Sequence, residues 1–352
     1  MKVFFWTNFI DKLYQNDGIV GGIGVQMSFW AKEFVKHDWK VFTFANKRYQ
    51  YDGITFLKLY NIRYLSYFIE ILLSIAYLLY FRPQLICIRG ASRSLFHLSI
   101  LSKIFSVKLI MFGASDTDFI PGKELIKSNL HRKMYQCGLK MTKYVVAQNE
   151  CQRKLLTKHY KEVRTCIIPN IWVLQKSSFV EKDIDFLWVS NIRELKRPEW
   201  VVGLAKRNPQ YNFTMIGANL DKDLYKKCEE EASKLKNLFF LGRKSFAEVN
   251  TYFNRAKCFL CTSTIEGFPN TFLQSWSNYI PVISTFDPSD VLKKKSIGFY
   301  AENFEDLNKY VSEMMENKNT YLWMQNNIET YFDKNHNSAI MYFNLIRSFD
   351  II

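Results

Sequence analysis

The segment Thr264-Ile265-Glu266-Gly267-Phe268-Pro269-Asn270-Thr271-Phe272-Leu273-Gln274 gathers residue types suited to holding a polyol and an anion together. Glu266 can accept hydrogen bonds from hydroxyl groups. Gly267 lets backbone come close to a ligand, and Pro269 suits a first helical turn, where its missing N–H costs nothing. A helix starting there would offer free N–H groups and the positive end of its dipole to phosphate or hydroxyl oxygens. Asn270 and Gln274, four apart, would share one face. The helix is expected to run to about Asn278, a residue type tolerated in a left-handed cap. The bland alternative is a strand, turn and helix with a solvated Glu, and the length of the run argues against it.

A second group is Ser190-Asn191-Ile192-Arg193-Glu194-Leu195-Lys196-Arg197-Pro198, behind the strand-like Asp185–Ser190. Cations on a loop at a strand's carboxyl end can stabilise the charge that develops on a departing diphosphate. Lys196 and Arg193 are the candidates for that role; the alternative is a basic helix start at the surface. Gly21-Gly22-Ile23-Gly24 opens a helix after the first strand, weak evidence by itself. Asp116-Thr117-Asp118 puts two carboxylates on a loop that could bind Mg²⁺ or Mn²⁺, a reading placed below a structural or acceptor-side role. Cys258 and Cys261 form a lone C-x-x-C in an apolar run and read as filler, since zinc would need a second pair. The five histidines make no ligand-spaced cluster, and no nucleophilic triad suggests itself.

These groups need scaffolding, and the pattern supplies alternating strands and helices. In the first half, strands are expected at Lys2–Phe9, Trp39–Ala45, Leu85–Arg89, Val107–Phe112, Tyr144–Ala147 and Thr165–Ile168. A glycine-rich loop leads into a helix at Val25–Lys36. The series restarts after the polar stretch Gln175–Asp183. Strands at Asp185–Ser190, Asn212–Ile216, Leu238–Leu241, Cys258–Thr262 and Pro281–Thr285 alternate with helices at Glu199–Arg207, Leu220–Leu235 and Phe246–Arg255. Two doubly wound halves follow, 1–172 and 184–335, with a C-terminal helix at about 336–352 read as able to pack back onto the first. In parallel sheets ligands sit outside the carboxyl ends of the strands, so both halves are expected to face a central cleft.

The run Glu266–Thr285 resembles the nucleotide-sugar loop of glycosyltransferase family 4, the retaining group with the GT-B fold, whose pattern is Glu, seven residues, then Glu around Glu-Gly-Phe-Pro-Asn. The resemblance implies that Glu266 and the backbone of Gly267, Phe268, Pro269, Asn270 and Thr271 hold the donor sugar and phosphates. It implies that the ribose is held at Gln274, where this chain departs from the usual Glu and loses one negative charge. In the family's Gly-Arg…Lys pattern Lys196 falls on the Lys, while Asn191 occupies the Arg position and Arg193 is the substitute. The resemblance also gives Gly21 and Gly22 a place bordering acceptor and diphosphate. The stretch Leu109–Asp118 lacks the His the family often carries near the sugar and offers Asp116 and Asp118 instead. No cofactor and no metal are implied, since the nucleotide sugar is a substrate.

Composition sets outer bounds. The 352 residues exceed one ordinary core, and 48% hydrophobic with 23% charged residues is globular. A net charge of +15 calls for an anionic partner; from Lys123 to Arg164 eleven Lys/Arg face three Glu. The seven scattered cysteines fit a reducing compartment. The apolar start Val3–Ile10 is short and meets Asp11 without a cleavage-site pattern, so no secretory signal is expected, and in Tyr64–Phe81 Glu70 leaves too short an uncharged run for a bilayer span. A helix packed on a sheet is the better reading there.

The expectation is therefore an α/β protein of GT-B architecture, with two Rossmann-like doubly wound domains. It would pass a sugar from a nucleotide-sugar donor to an acceptor hydroxyl with retention, as a hexosyl-type transferase. The expected acceptor is a lipid-linked oligosaccharide in a capsule or O-antigen type of polysaccharide pathway, met at an anionic membrane surface. The expected location is cytoplasmic, peripheral on the cytoplasmic face of the inner membrane. The alternatives are a sugar-nucleotide epimerase of the same fold, which the His-poor site disfavours, and a basic nucleic-acid-binding protein, for which no binding signature is present. Nucleic acid is not an expected partner.

Overall fold

The computed structural model describes residues 1–14, 21–58, 66–160, 162–173, 181–266 and 268–351. They form two compact units, Met1–Ile171 with Ser338–Ile352, and Trp172–Asn337.

Unit 1 is built on a sheet of β1 (Lys2–Phe5), β2 (Lys40–Ala45), β3 (Tyr49–Tyr51), β4 (Ile54–Lys58), β5 (Leu85–Arg89), β6 (Lys108–Phe112), β7 (Tyr144–Ala147) and β8 (Arg164–Ile167). Its strand order is β3-β4-β2-β1-β5-β6-β7-β8, parallel except for the β3–β4 pair. The helices are α1 (Phe9–Tyr14), α2 (Gly22–Lys36), α3 (Ser66–Phe81), α4 (Ser94–Ile104), α5 (Asn129–Met141) and α6 (Glu150–His159). Side chains alternate along a strand, so Phe4 enters a core with Leu78, Leu98 and Leu139, whereas Phe5 meets Phe34 of α2 at 5.7 Å.

Three departures from the sequence-based reading have local causes. The first strand stops at Phe5 rather than Phe9, although Trp6 still donates to the Cys87 carbonyl, and α1 (Phe9–Tyr14) takes the place of the strand's expected end and the start of the loop. Gly24 permits this: a Cβ there would lie 2.8 Å from the Phe9 carbonyl oxygen. The hairpin β3–β4 was missed, although Asp52 (φ 54°) and Gly53 (φ 76°) form the Asp-Gly turn that favours one. The expected loop residues 15–20 lie outside the described residues.

Helix α3 is not wholly covered. Leu78 and Ser74 are buried, while Phe68, Leu72, Leu79 and Tyr80 are exposed. Among the described residues no helix is long and apolar enough to cross a membrane.

Unit 2 carries a parallel sheet of β9 (Ile184–Val189), β10 (Phe213–Ile216), β11 (Leu238–Phe240), β12 (Ala256–Cys261), β13 (Val282–Ser284) and β14 (Gly298–Tyr300), in the order β11-β10-β9-β12-β13-β14. The last of these lies beyond the strands read from sequence. Helices α7 (Pro198–Arg207), α8 (Lys222–Ala232), α9 (Phe246–Arg255), α10 (Asn270–Trp276), α11 (Val291–Lys295), α12 (Phe304–Glu316) and α13 (Lys318–His336) flank it. The entry to α9 is fixed by a capping box in which Ser245 and Glu248 satisfy each other's backbone N–H groups. The last helix, α14 (Ser338–Ser348), belongs to unit 1, where Trp39 Nε1 donates to Tyr342 Oη at 2.9 Å and Ser338 Oγ donates to buried Glu33 at 2.7 Å.

Candidate active site

Strands β9 and β12 are neighbours in register, with Leu187 opposite Phe259 and Trp188 opposite Leu260. Their carboxyl ends therefore release two loops side by side, 190–197 and 262–269. The first contains a single 3-10 turn, Glu194–Lys196. Hydrogen bonds tie it to the second loop. Thr264 N donates to the Leu195 carbonyl at 2.9 Å, and Thr262 Oγ donates to the Lys196 carbonyl at 2.5 Å. Trp188 Nε1 donates to the same Thr262 hydroxyl at 3.0 Å.

This zipper brings Lys196 to Glu266, seventy positions away. The ammonium, in a residue only 7% exposed, forms an ion pair with Glu266 Oε1, which also accepts from Ser263 Oγ at 2.8 Å. A cation and a carboxylate thus sit together at the carboxyl edge of the sheet, preorganised by backbone bonds. Such a pair can hold a phosphate oxygen on one side and a hydroxyl on the other.

Arg197 fixes the arrangement from below. It adopts φ 44°, a left-handed conformation uncommon for a non-glycine residue. Its Nε donates to the Thr262 carbonyl at 2.7 Å, its Nη2 donates to Thr285 Oγ at 2.7 Å, and its guanidinium lies 3.9 Å from the centroid of Trp200. Burial lowers its pKa from the ordinary guanidinium value. Its role was not read from the sequence, although its place beside Lys196 was a signal. Gly217 follows β10 alongside: a Cβ there would lie 2.0 Å from the Ser190 carbonyl oxygen, so no side chain fits.

Of the other residues read from sequence, Gly267 lies outside the described ones. Phe268 packs on His336 and Trp276, with ring centroids at 5.4 Å and 6.1 Å. Pro269 is the residue before α10 rather than inside it, with ψ 122°, and Asn270 and Thr271 open the helix. The helix is shorter than expected: it ends at Trp276, and the left-handed residue is Tyr279 (φ 56°), while Asn278 Nδ2 donates to the Gln274 carbonyl at 2.8 Å. Buried Gln274 donates through Nε2 to Asn250 Oδ1 of α9, a contact the sequence did not disclose. Asn191 is half-buried, and Arg193 is exposed with no ion pair among the described residues.

The remaining candidates belong to unit 1. Gly21 is exposed, with open space where a Cβ would stand, and Gly22 starts α2. Asp116 is exposed beside Cys151. Asp118 is buried and its Oδ2 accepts from the amides of Ala114 at 2.8 Å and Ser115 at 3.1 Å, in a capping box with Ser115. Burial raises its pKa against those amide bonds. The two carboxylates of the Asp-x-Asp therefore have different environments. In unit 2, burial in β12 pushes the Cys258 thiol up. Among the described residues no group of three His, Cys, Asp or Glu is arranged to hold a metal ion.

Residues 173–331 match the family model described as "Glycosyl transferases group 1", a range that nearly coincides with unit 2. An uncharacterized glycosyltransferase of Methanocaldococcus jannaschii is 24% identical over 238 residues, 58% of this chain and 56% of that protein. The chain thus spans about half the length of that relative. An O-antigen biosynthesis glycosyltransferase of Escherichia coli, WbnH, is 28% identical over 122 residues, 34% of each chain. Among solved structures, a sucrose-phosphate synthase from Thermosynechococcus elongatus superposes with a TM-score of 0.76 at 14% identity, covering 99% of both chains. The pneumococcal O-GlcNAc transferase GtfA, solved with UDP and GlcNAc, gives 0.71 at 10% identity over 100% of this chain and 99% of that one. Unit 2 is thus matched by sequence and the chain as a whole by fold: residues 173–331 resemble the glycosyl transferases group 1 family, and the two units together share the GT-B fold of these solved structures.

Proposed function

We propose that the chain transfers a sugar from a nucleotide-sugar donor to an acceptor hydroxyl, with retention of anomeric configuration and without a metal. The observation that carries this reading is the Lys196–Glu266 pair, locked between the ends of β9 and β12 within the family domain. Lys196, with Arg193, stabilises the charge growing on the departing diphosphate, and Glu266 accepts from the sugar's hydroxyls. Backbone near Phe268–Thr271 contributes to the phosphates, and Gln274 takes the ribose. The acceptor hydroxyl loses its proton to the departing phosphate oxygen on the same face, so no protein base is required. The UDP and GlcNAc bound to the pneumococcal neighbour support a nucleotide-sugar donor.

A thermal-shift screen against UDP-, GDP-, ADP- and CMP-sugars tests the donor site, because a ligand that binds the folded state raises its stability. One nucleotide sugar is expected to raise the midpoint, and anomeric NMR of the product then reads the stereochemistry. No shift with any of the four classes would overturn the reading.

The reading extends to a lipid-linked polysaccharide acceptor met at an anionic membrane surface, with the protein peripheral on the cytoplasmic face. Support comes from the uncovered Phe68, Leu72, Leu79 and Tyr80 of α3 and from the basic stretch Lys123–Arg164. The O-antigen role of the Escherichia coli relative points the same way. An epimerase or a nucleic-acid-binding protein is not favoured, since the matched family and relatives are glycosyltransferases.

A further inference from the structure

Arg89 ends β5 of unit 1, at the carboxyl edge of its sheet, next to Gly90. Gly90 has φ 75° and leaves 3.3 Å between a would-be Cβ and Ile23 of α2, so Arg89 lies close to the Gly21-Gly22 opening of that helix. A guanidinium carries five N–H donors. Among the described residues Arg89 uses one: its Nη2 donates to Asn170 Oδ1 at 2.6 Å. Its Nε is sealed from solvent and has no partner. Asp118 acts on it through space, but no ion pair within 4.0 Å forms, and that carboxylate is turned toward the amides of Ala114 and Ser115. Burial draws the Arg89 guanidinium down to about 10, which leaves it charged at neutral pH.

A half-buried guanidinium with a sealed, unpartnered Nε and one neutral hydrogen-bond partner leaves fork donors free to take a further acceptor. The acceptor that suits them best is an oxyanion, which takes two N–H donors of the planar fork at once. We propose that Arg89, oriented by Asn170, is an anion-recognition residue that binds a phosphate or carboxylate of the acceptor. The acceptor's part in this rests on the sugar-transfer reading, in which unit 1 takes the acceptor. The oxyanion has two possible sources: the phosphate of a lipid-linked acceptor, or the carboxylate of an acidic sugar within it.

The test uses the full chain as wild type, Arg89→Gln and Arg89→Lys, titrated calorimetrically with inorganic phosphate and with glucuronate. Binding of either anion at Lys196 is common to all three proteins and cancels in the comparison. Arg89→Gln is expected to weaken one anion by roughly tenfold or more, the loss of a charge-assisted hydrogen bond. Arg89→Lys should keep most of the affinity. A loss confined to phosphate assigns the lipid source, and one confined to glucuronate assigns the acidic sugar. Equal affinities in wild type and Arg89→Gln, or no saturable binding of either anion, would overturn the proposal.

A purely structural Arg89 would change the unfolding midpoint and leave anion affinity alone. Should the variants fail to fold, phenylglyoxal modification of wild type, read on the Arg89 peptide by mass spectrometry, decides instead. At about four times the Kd, the anion should slow modification about fivefold by mass action, and an unchanged rate sinks the idea. Nucleotide-sugar binding is measured on the same proteins. Its absence from all of them would refute the sugar-transfer reading while leaving an anion site at Arg89 standing.

Discussion

Replacing Lys196 by Ala removes the buried cation that the fold aims at Glu266. At an effective dielectric of about 20, two unit charges about 4 Å apart interact by about 4 kcal/mol. Only the part that grows on the way to the transition state accelerates the reaction. For a leaving diphosphate that gains up to about one charge, this is ~2–4 kcal/mol, the range found when a preorganised donor is lost. The expected result is a fall of roughly 10²–10³ in turnover, measured as initial rates with the donor found by thermal shift. The substitution also strands Glu266, which among the described residues keeps its bond from Ser263. Glu266 is 20% exposed, so water offsets much of the full cost of a buried charge and the stability loss should be about 1–2 kcal/mol. A double-mutant cycle separates the two effects. If the activity loss came from a stranded carboxylate, Lys196→Ala with Glu266→Gln would regain activity over Lys196→Ala alone. If Lys196 acts on the leaving group, no recovery follows. A turnover within a few fold of wild type in Lys196→Ala would refute the assignment.

Arg197→Ala removes the donors to Thr262 and Thr285 and the stack on Trp200. It should cost about 2–3 kcal/mol, read as a drop of roughly 5–10 °C in midpoint, and a drop under about 2 °C would deny it a structural role. His97 is buried, and burial together with the Arg93 charge holds its imidazole down to about 4. An unfolded chain binds that proton near 6.5, so the contribution is complete above about pH 6.5 and is lost as pH falls toward 4, by up to ~3 kcal/mol. Urea unfolding at pH 7 and 4.5 checks this: His97→Asn should flatten the difference, and an unchanged slope would refute it. Phe68→Glu with Leu72→Glu on the exposed side of α3 should cut flotation with anionic liposomes by on the order of tenfold, without moving the unfolding midpoint. Wild-type protein that stays wholly in the soluble fraction would count against the membrane-surface reading.

Local pattern was sufficient for most of the elements. Strand alternation and helical spacing are properties of neighbouring residues, and they placed β2, β5, β7, β9 and β12 to within a residue or two. The misses were local too. The Asp52-Gly53 turn announced β3–β4, and α1 was hidden because its six residues abut the first strand. Helix α10 came out shorter than expected because a residue type that tolerates a left-handed cap at 278 says little about where the turn occurs.

What the sequence by itself determined was chemistry and periodicity: a Glu-Gly-Phe-Pro-Asn run, a cationic loop, and the alternation that demands two parallel sheets. The convergence of Lys196 with Glu266 was decided elsewhere. It depends on β9 and β12 being adjacent in a sheet whose order skips two intervening strands, a long-range pairing that no local window contains. The same holds for Gln274 with Asn250, Arg197 with Thr285 and Arg89 with Asn170. In each case the residue type is written locally, but the partner that gives it a role is supplied by packing across the fold.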